Sequence, residues 1–192
     1  MKLSRLLLTV VGATVLLGAL VSSASAGRLS NSSTAFNATW ARMDFRASFG
    51  TVECEITLSG SLHRASITKT RGSLIGYITD ARVRSPGCRR GEATILSETL
   101  PWHFQYDSFA GALPSIASFR TLVIGFAWRF GIFGIACLMR SATTEPFTLI
   151  FSLSSGRVTS TTIGGSIRTT CGDVGTLGGT SNSNSANTVT LI

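Results

Sequence analysis

The chain has 192 residues and a formal net charge of +8, from 17 Lys+Arg against 9 Asp+Glu; 44% of it is hydrophobic and only 14% charged. That balance excludes a disordered charged tail, a collagen and a coiled coil, and four cysteines are too few for a disulfide-packed miniprotein. The 26 Ser, 24 Thr and 20 Gly suit pleated strands joined by tight turns, so the expectation is one all-β domain.

Residues 1–26 read as a secretory signal peptide. Lys2 and Arg5 give a positive start, Leu6–Val21 an apolar core, and Ala24-Ser25-Ala26 a small-residue cleavage site. The apolar core is shorter than the roughly 20 residues a membrane-spanning helix needs. Cleavage after Ala26 sends the remainder out of the cytoplasm, to a secreted or extracellular location. The expected organisation is then an N-terminal arm and first strand (27–50), a β-domain core (51–174), a Gly/Ser/Asn-rich connection (175–187) and a terminal strand (188–192).

Period-two alternation runs through most of 51–174. In Thr51–Leu58, Val52, Cys54, Ile56 and Leu58 share one face and Thr51, Glu53, Glu55 and Thr57 the other. Ser59-Gly60-Ser61 reads as a turn into a hairpin arm, Leu62–Lys69, and Arg71-Gly72 as a turn into Ser73–Val83. Ser85-Pro86-Gly87 breaks the pattern and leaves Cys88 in a loop. Glu92–Leu100 and Trp102–Phe109 read as strands hinged at Pro101, and Gly111–Ser118, with Pro114, as a loop or a short helical turn.

Arg120–Arg140 is the most apolar stretch after the signal. Arg129 interrupts it, and an Arg at mid-membrane costs at least about 2.5 kcal/mol. Core strands are expected instead of a transmembrane helix, with Leu122, Ile124, Phe126, Trp128 and Phe130 on one face and a bend at Gly131 and Gly134. Phe147–Leu153 alternates again, Ser155-Gly156 turns into Arg157–Ile163, and Ser166–Cys171 is a further short strand. About ten short strands with frequent turns define an antiparallel β-sandwich or β-barrel.

Cys54, Cys88, Cys137 and Cys171 all follow the signal, and an exported chain meets an oxidising compartment, so disulfides are expected. Four cysteines permit three pairings. The equal outer gaps suggest two similar halves stapled by Cys54–Cys88 and Cys137–Cys171. No C-x-x-C occurs, and neither His63 nor His103 stands at ligand spacing from a cysteine, so no metal and no cofactor is expected.

Val52–His63, Gly72–Gly76 and above all Ser97-Glu98-Thr99-Leu100-Pro101-Trp102-His103 resemble a group of small exported proteins from high-GC Gram-positive bacteria. The resemblance covers most of Thr51–Leu138 and implies export and a β-rich fold. No activity is attached to that group, so it implies no catalytic residue.

Chemistry-bearing constellations are sparse. G-x-S-x-G, H-E-x-x-H and a P-loop are missing. Ser66-Ile67-Thr68-Lys69 matches S-x-x-K, which needs a helix start, yet falls in an expected strand, where its Ser and Lys point to opposite faces. Glu53 and Glu55 share a strand face as a possible carboxylate pair. The richest cluster is Glu98, Trp102, His103, Tyr106 and Asp107: ring faces beside titratable groups. Alternation also gives it an ordinary structural reading, with Trp102, Phe104 and Tyr106 inward and His103, Gln105 and Asp107 outward. The arginines are scattered, with Arg89-Arg90 the only adjacent pair, which argues against nucleic acid.

Three function classes fit. The leading one is an exported non-enzymatic extracellular or cell-envelope β-domain, a binding or structural module whose partner is an anionic envelope polymer or an apolar ligand. The others are a secreted hydrolase using His103 with Glu98 or Asp107, and a lipid-carrying β-barrel. If any surface binds specifically, Trp102-His103 is expected to take part.

Overall fold

The computed structural model describes residues 28–112, 115–182 and 187–192. The expected signal segment and Pro114 lie outside the described residues. In chain order the strands are β1 (Arg28–Asn31), β2 (Ala35–Ala47), β3 (Gly50–Leu62), β4 (Ser66–Thr68), β5 (Leu74–Arg89), β6 (Glu92–Ile95) and β7 (Trp102–Ala112). They continue as β8 (Ser115–Ile124), β9 (Ala127–Ile132), β10 (Ile135–Arg140), β11 (Phe147–Ser154), β12 (Arg157–Arg168), β13 (Val174–Asn182) and β14 (Val189–Leu191). A 3-10 turn, Ser97–Thr99, precedes β7.

Eight strands close into an antiparallel barrel in the order β11-β12-β13-β2-β3-β5-β7-β8, with β8 paired back to β11. Barrel neighbours follow one another along the chain, apart from short excursions. This is an up-and-down barrel, and it leaves no open edge in the ring. The excursions and termini form two small sheets, β14-β1-β4 and β10-β9-β6.

Inward positions are filled by large rings. Trp40, Trp102, Trp128, Phe45, Phe126, Phe130 and Phe147 are all fully buried. The β10-β9-β6 sheet turns Phe126, Trp128 and Phe130 onto the barrel. Phe130 stacks on Phe45, Trp128 lies 4.8 Å from both Phe45 and Phe126, and Phe126 lies 4.6 Å from Trp102. The β14-β1-β4 sheet buries Leu29, Ile67 and Val189. Beneath it Asn31 and Phe36, Phe104, Phe119 and Phe151 leave a cavity of only about 20 Å³, room for about one water. That cavity is too small for the acyl chain that the carrier reading requires.

Ion pairs lie on the outside: Arg42 with Asp44 and Glu53, Arg84 with Glu55, Arg82 with Asp80. An apolar interior beneath a charged outer face is the reverse of the pattern of a membrane-spanning barrel. Among the described residues, no helix is long and apolar enough to cross a membrane.

Several expectations are corrected. Ser59-Gly60-Ser61 is no turn; β3 runs through it to Leu62. A Cβ on Gly60 would fall 2.1 Å from the Tyr77 carbonyl oxygen, so the glycine marks the close approach of β5 across a bulge. The supposed hairpin arm after it contains only β4, which pairs with β1. Ser85-Pro86-Gly87 is a bulge inside β5, and pairing resumes at Cys88, opposite Cys54. The 175–187 connection is largely strand β13, and its glycines make room for neighbours: a Cβ on Gly179 would sit 2.9 Å from the Arg42 carbonyl oxygen and 3.2 Å from the Trp40 ring. Because β13 pairs with β2, the core starts ahead of Thr51, and the segment expected to hold an arm and a first strand holds two strands, β1 and β2.

Register also flips in the apolar stretch. In the last part of β8, after Arg120, the buried residues are Thr121 and Val123, while Leu122 and Ile124 are only half-buried. Gly125, at φ +89°, turns the chain out of the barrel, and burial restarts with Phe126 in the other phase. Ser166–Cys171 is no separate strand: β12 continues unbroken to Arg168.

The bonded cysteines are Cys54–Cys88 and Cys137–Cys171. The halves they were expected to define do not exist. The first bond joins adjacent barrel strands, and the second ties β10 to the turn after β12.

Candidate functional site

The Trp102–Asp107 stretch shows the alternation expected of β7, and this separates the cluster. Trp102 and Tyr106 point into the core, at 0% and 3% exposure. Trp102 Nε1 donates to Thr99 Oγ1 at 2.8 Å, and Thr99 Oγ1 in turn donates to the Leu96 carbonyl. The Tyr106 phenol is raised above its ordinary pKa by burial and then by the Asp107 charge. Asp107 sits at a bulge, with Arg71 Nε donating to it at 2.8 Å and Arg120 Nε forming an ion pair with it at 3.7 Å. Glu98 is exposed on the 3-10 turn.

His103 is exposed on the barrel wall, edge-on to Tyr77 at 5.6 Å; Tyr77 lies 4.9 Å from His63. The structure therefore brings the two histidines to either side of one tyrosine. It joins His103 to neither Glu98 nor Asp107. The other suspected acids are also engaged: Glu53 accepts from Arg42, and both Glu55 oxygens accept from Arg84 Nη1. Of the S-x-x-K residues, Ser66 lies in β4, whereas Lys69 falls just past its end and lies over the Phe109 ring at 4.8 Å. Among the described residues, no group of three His, Cys, Asp or Glu is placed to hold a metal ion.

A different site emerges at one end of the barrel. β9 and β10 are joined by the two-residue turn Phe133-Gly134, with Ile132 opposite Ile135. Such turns need positive φ and favour Asn-Gly. Here a phenylalanine takes φ +54°, a conformation that bulky side chains avoid, and its side chain is 98% exposed. The backbone and the ring are both placed at a cost, and no contact in the fold returns it. Strain of this kind gathers at functional positions. Arg90, at φ +64°, lies at the same end, so two of the three non-glycine residues with positive φ among the described residues occur there.

Between Phe133, Ile132, Phe49, Thr51 and Arg90 lies an open cleft of about 580 Å³. Phe49 stacks on Phe130 at 5.8 Å and joins the cleft wall to the core. Ile135 is half exposed beside the turn. Arg89 and Arg90 are exposed and have no acidic partner among the described residues.

The tip is firmly held. Cys137–Cys171 ties β10 to the turn after β12, and Leu138 and Thr170 exchange hydrogen bonds of 2.9 and 3.0 Å. Asp173, beyond that turn, reaches Ser48 in the β2–β3 turn. The sequence pattern marked a bend at Gly131 and Gly134. It did not mark Phe133, because one more Phe in an apolar run carries no sign of exposure.

The fold and this end define a class: a disulfide-stapled, ring-filled antiparallel barrel that presents an apolar tip. A family model described as alkane oxidation protein activator, PraA/PraB-like, matches residues 1–113, and the chain belongs to that family. The match takes in Phe49, Thr51 and Arg90 of the cleft and the Trp102–Asp107 stretch, and ends before Phe133. No curated protein and no solved structure matches the chain.

Proposed function

We propose that the chain is exported and acts outside the cytoplasm as a non-enzymatic accessory module of alkane oxidation, using the Phe133 tip to contact the water-insoluble alkane. The observation that carries this reading is the exposed ring of Phe133, held in a conformation that costs energy, above an apolar cleft. An exposed apolar group on a rigid turn gains about 25 cal/mol per Å² on leaving water for hydrocarbon. The family's description as activator, not oxidase, agrees with carboxylates committed to arginines. The pairing of four cysteines in two disulfides and the N-terminal pattern support export.

The test is adsorption of the secreted protein at a hexadecane–water interface, followed by pendant-drop tension. The wild type should lower the tension, and Phe133→Ser should adsorb markedly less while melting no lower. Equal adsorption by both would overturn the reading. Export is tested separately: N-terminal sequencing of protein from the medium should begin at Gly27.

A further inference from the structure

At the far end of β3 and β5 from the tip lies a concavity of about 230 Å³ with a different lining. Arg28 opens β1, His63 and Arg64 follow β3, and Ser66 belongs to β4; Ile67 and Leu74 add apolar wall. Both arginines are exposed, and neither forms an ion pair among the described residues. Arg42, Arg46, Arg71, Arg82, Arg84 and Arg120 have acidic partners, whereas Arg89, Arg90, Arg129, Arg140, Arg157 and Arg168 share with these two the lack of one among the described residues; what sets Arg28 and Arg64 apart is that they line one concavity. The Ile192 backbone oxygen accepts the Arg28 backbone N–H at 3.0 Å, which fixes the start of β1 at the pocket. Ser66 Oγ is buried and has no hydrogen-bond partner. A buried hydroxyl without a partner calls for an explanation. Leu74 stays 39% exposed at the rim, although it is a large aliphatic residue beside a charged pocket.

The geometry points to an anion site: the pocket takes a phosphate or carboxylate headgroup carrying an apolar chain. Guanidinium forks match the oxygens of such headgroups and hold them by charge-assisted hydrogen bonds. The chain leaves along Leu74. The site lies at the opposite end of β3 and β5 from Phe133, so it stands or falls without the tip.

The probes are inorganic phosphate, hexyl phosphate and hexanoate, all titrated calorimetrically into the whole secreted protein. Hexyl phosphate should bind saturably and at least about tenfold tighter than inorganic phosphate, from the chain carbons it buries. Arg28→Gln and Arg64→Gln should each weaken it by about tenfold or more. Arg140→Gln, which removes the same charge elsewhere, should leave it unchanged. Melting curves of the variants confirm their folding. Hexanoate separates the two sources of such a headgroup: tighter binding than hexyl phosphate marks an oxidised alkane, weaker binding a phospholipid. Absence of saturable binding overturns the proposal, as does binding that Arg28→Gln and Arg64→Gln leave intact.

Discussion

Asp173 accepts two hydrogen bonds from Ser48 through one carboxylate oxygen, from the backbone N–H at 2.7 Å and from Oγ at 2.8 Å. With Thr169 Oγ1 donating to its other oxygen, the pair ties the turn before β13 to the β2–β3 turn. Thr169 first, then Ser48, hold the Asp173 carboxyl down at about 2. An unfolded aspartate titrates near 3.9. The stabilisation is therefore complete above about pH 4 and is lost as the pH falls through about 2. Melting temperature measured between pH 5 and 2 should fall less steeply for Asp173→Asn than for the wild type. Parallel curves would show that the carboxylate contributes nothing there.

Phe133→Asn separates fold from function. Asparagine accepts positive φ at a two-residue turn far better than phenylalanine. Its melting midpoint should hold or rise, by up to about 1 kcal/mol in stability, while adsorption to hexadecane falls. A drop in stability with adsorption retained would make Phe133 a packing residue.

Gly60→Ala should be severely destabilising. The added Cβ meets backbone, the Tyr77 carbonyl oxygen at 2.1 Å and Ile78 Cα at 2.8 Å, so no side-chain rotation relieves it. A loss of about 2 kcal/mol or more is expected in urea unfolding.

On β7, adjacent residues should behave oppositely. Trp102→Ala opens the ring-filled core beside Phe126 and should cost about 3–5 kcal/mol. His103→Ala loses one edge contact to Tyr77, worth about 1 kcal/mol or less. It should leave hexadecane adsorption unchanged. Impaired adsorption in a stably folded His103→Ala protein would restore the Trp102-His103 surface as a binding site.

The all-β character was legible because half-buried strands write their burial directly into alternation. β7 and β11 show it plainly: Trp102, Phe104 and Tyr106 lie inside, as do Phe147, Leu149 and Phe151. The pattern misleads where glycine answers to a distant neighbour. Gly60 and Gly179 read as turn and flexible connection because Tyr77 and Trp40, which demand them, lie elsewhere in the sequence. Closure was illegible for the same reason: the pairing of β13 with β2 joins opposite ends of the chain. Of the candidate cluster, chain proximity suggested a union of His103 with Asp107, whereas Asp107 is paired with Arg71, in the turn before β5, and with Arg120 on β8.

β8 and β11 are direct partners in the ring, yet the chain travels through Phe126–Pro146 between them. Cutting that excursion short would leave the two strands as an ordinary hairpin. The β8–β11 pairing itself does not run through the excursion, whose Phe126, Trp128 and Phe130 pack the core, and the Phe133 turn beyond them is in effect an interchangeable head on a constant shaft. Changes of length or side chain at its turn can retune what the molecule touches while the order of barrel strands stays fixed.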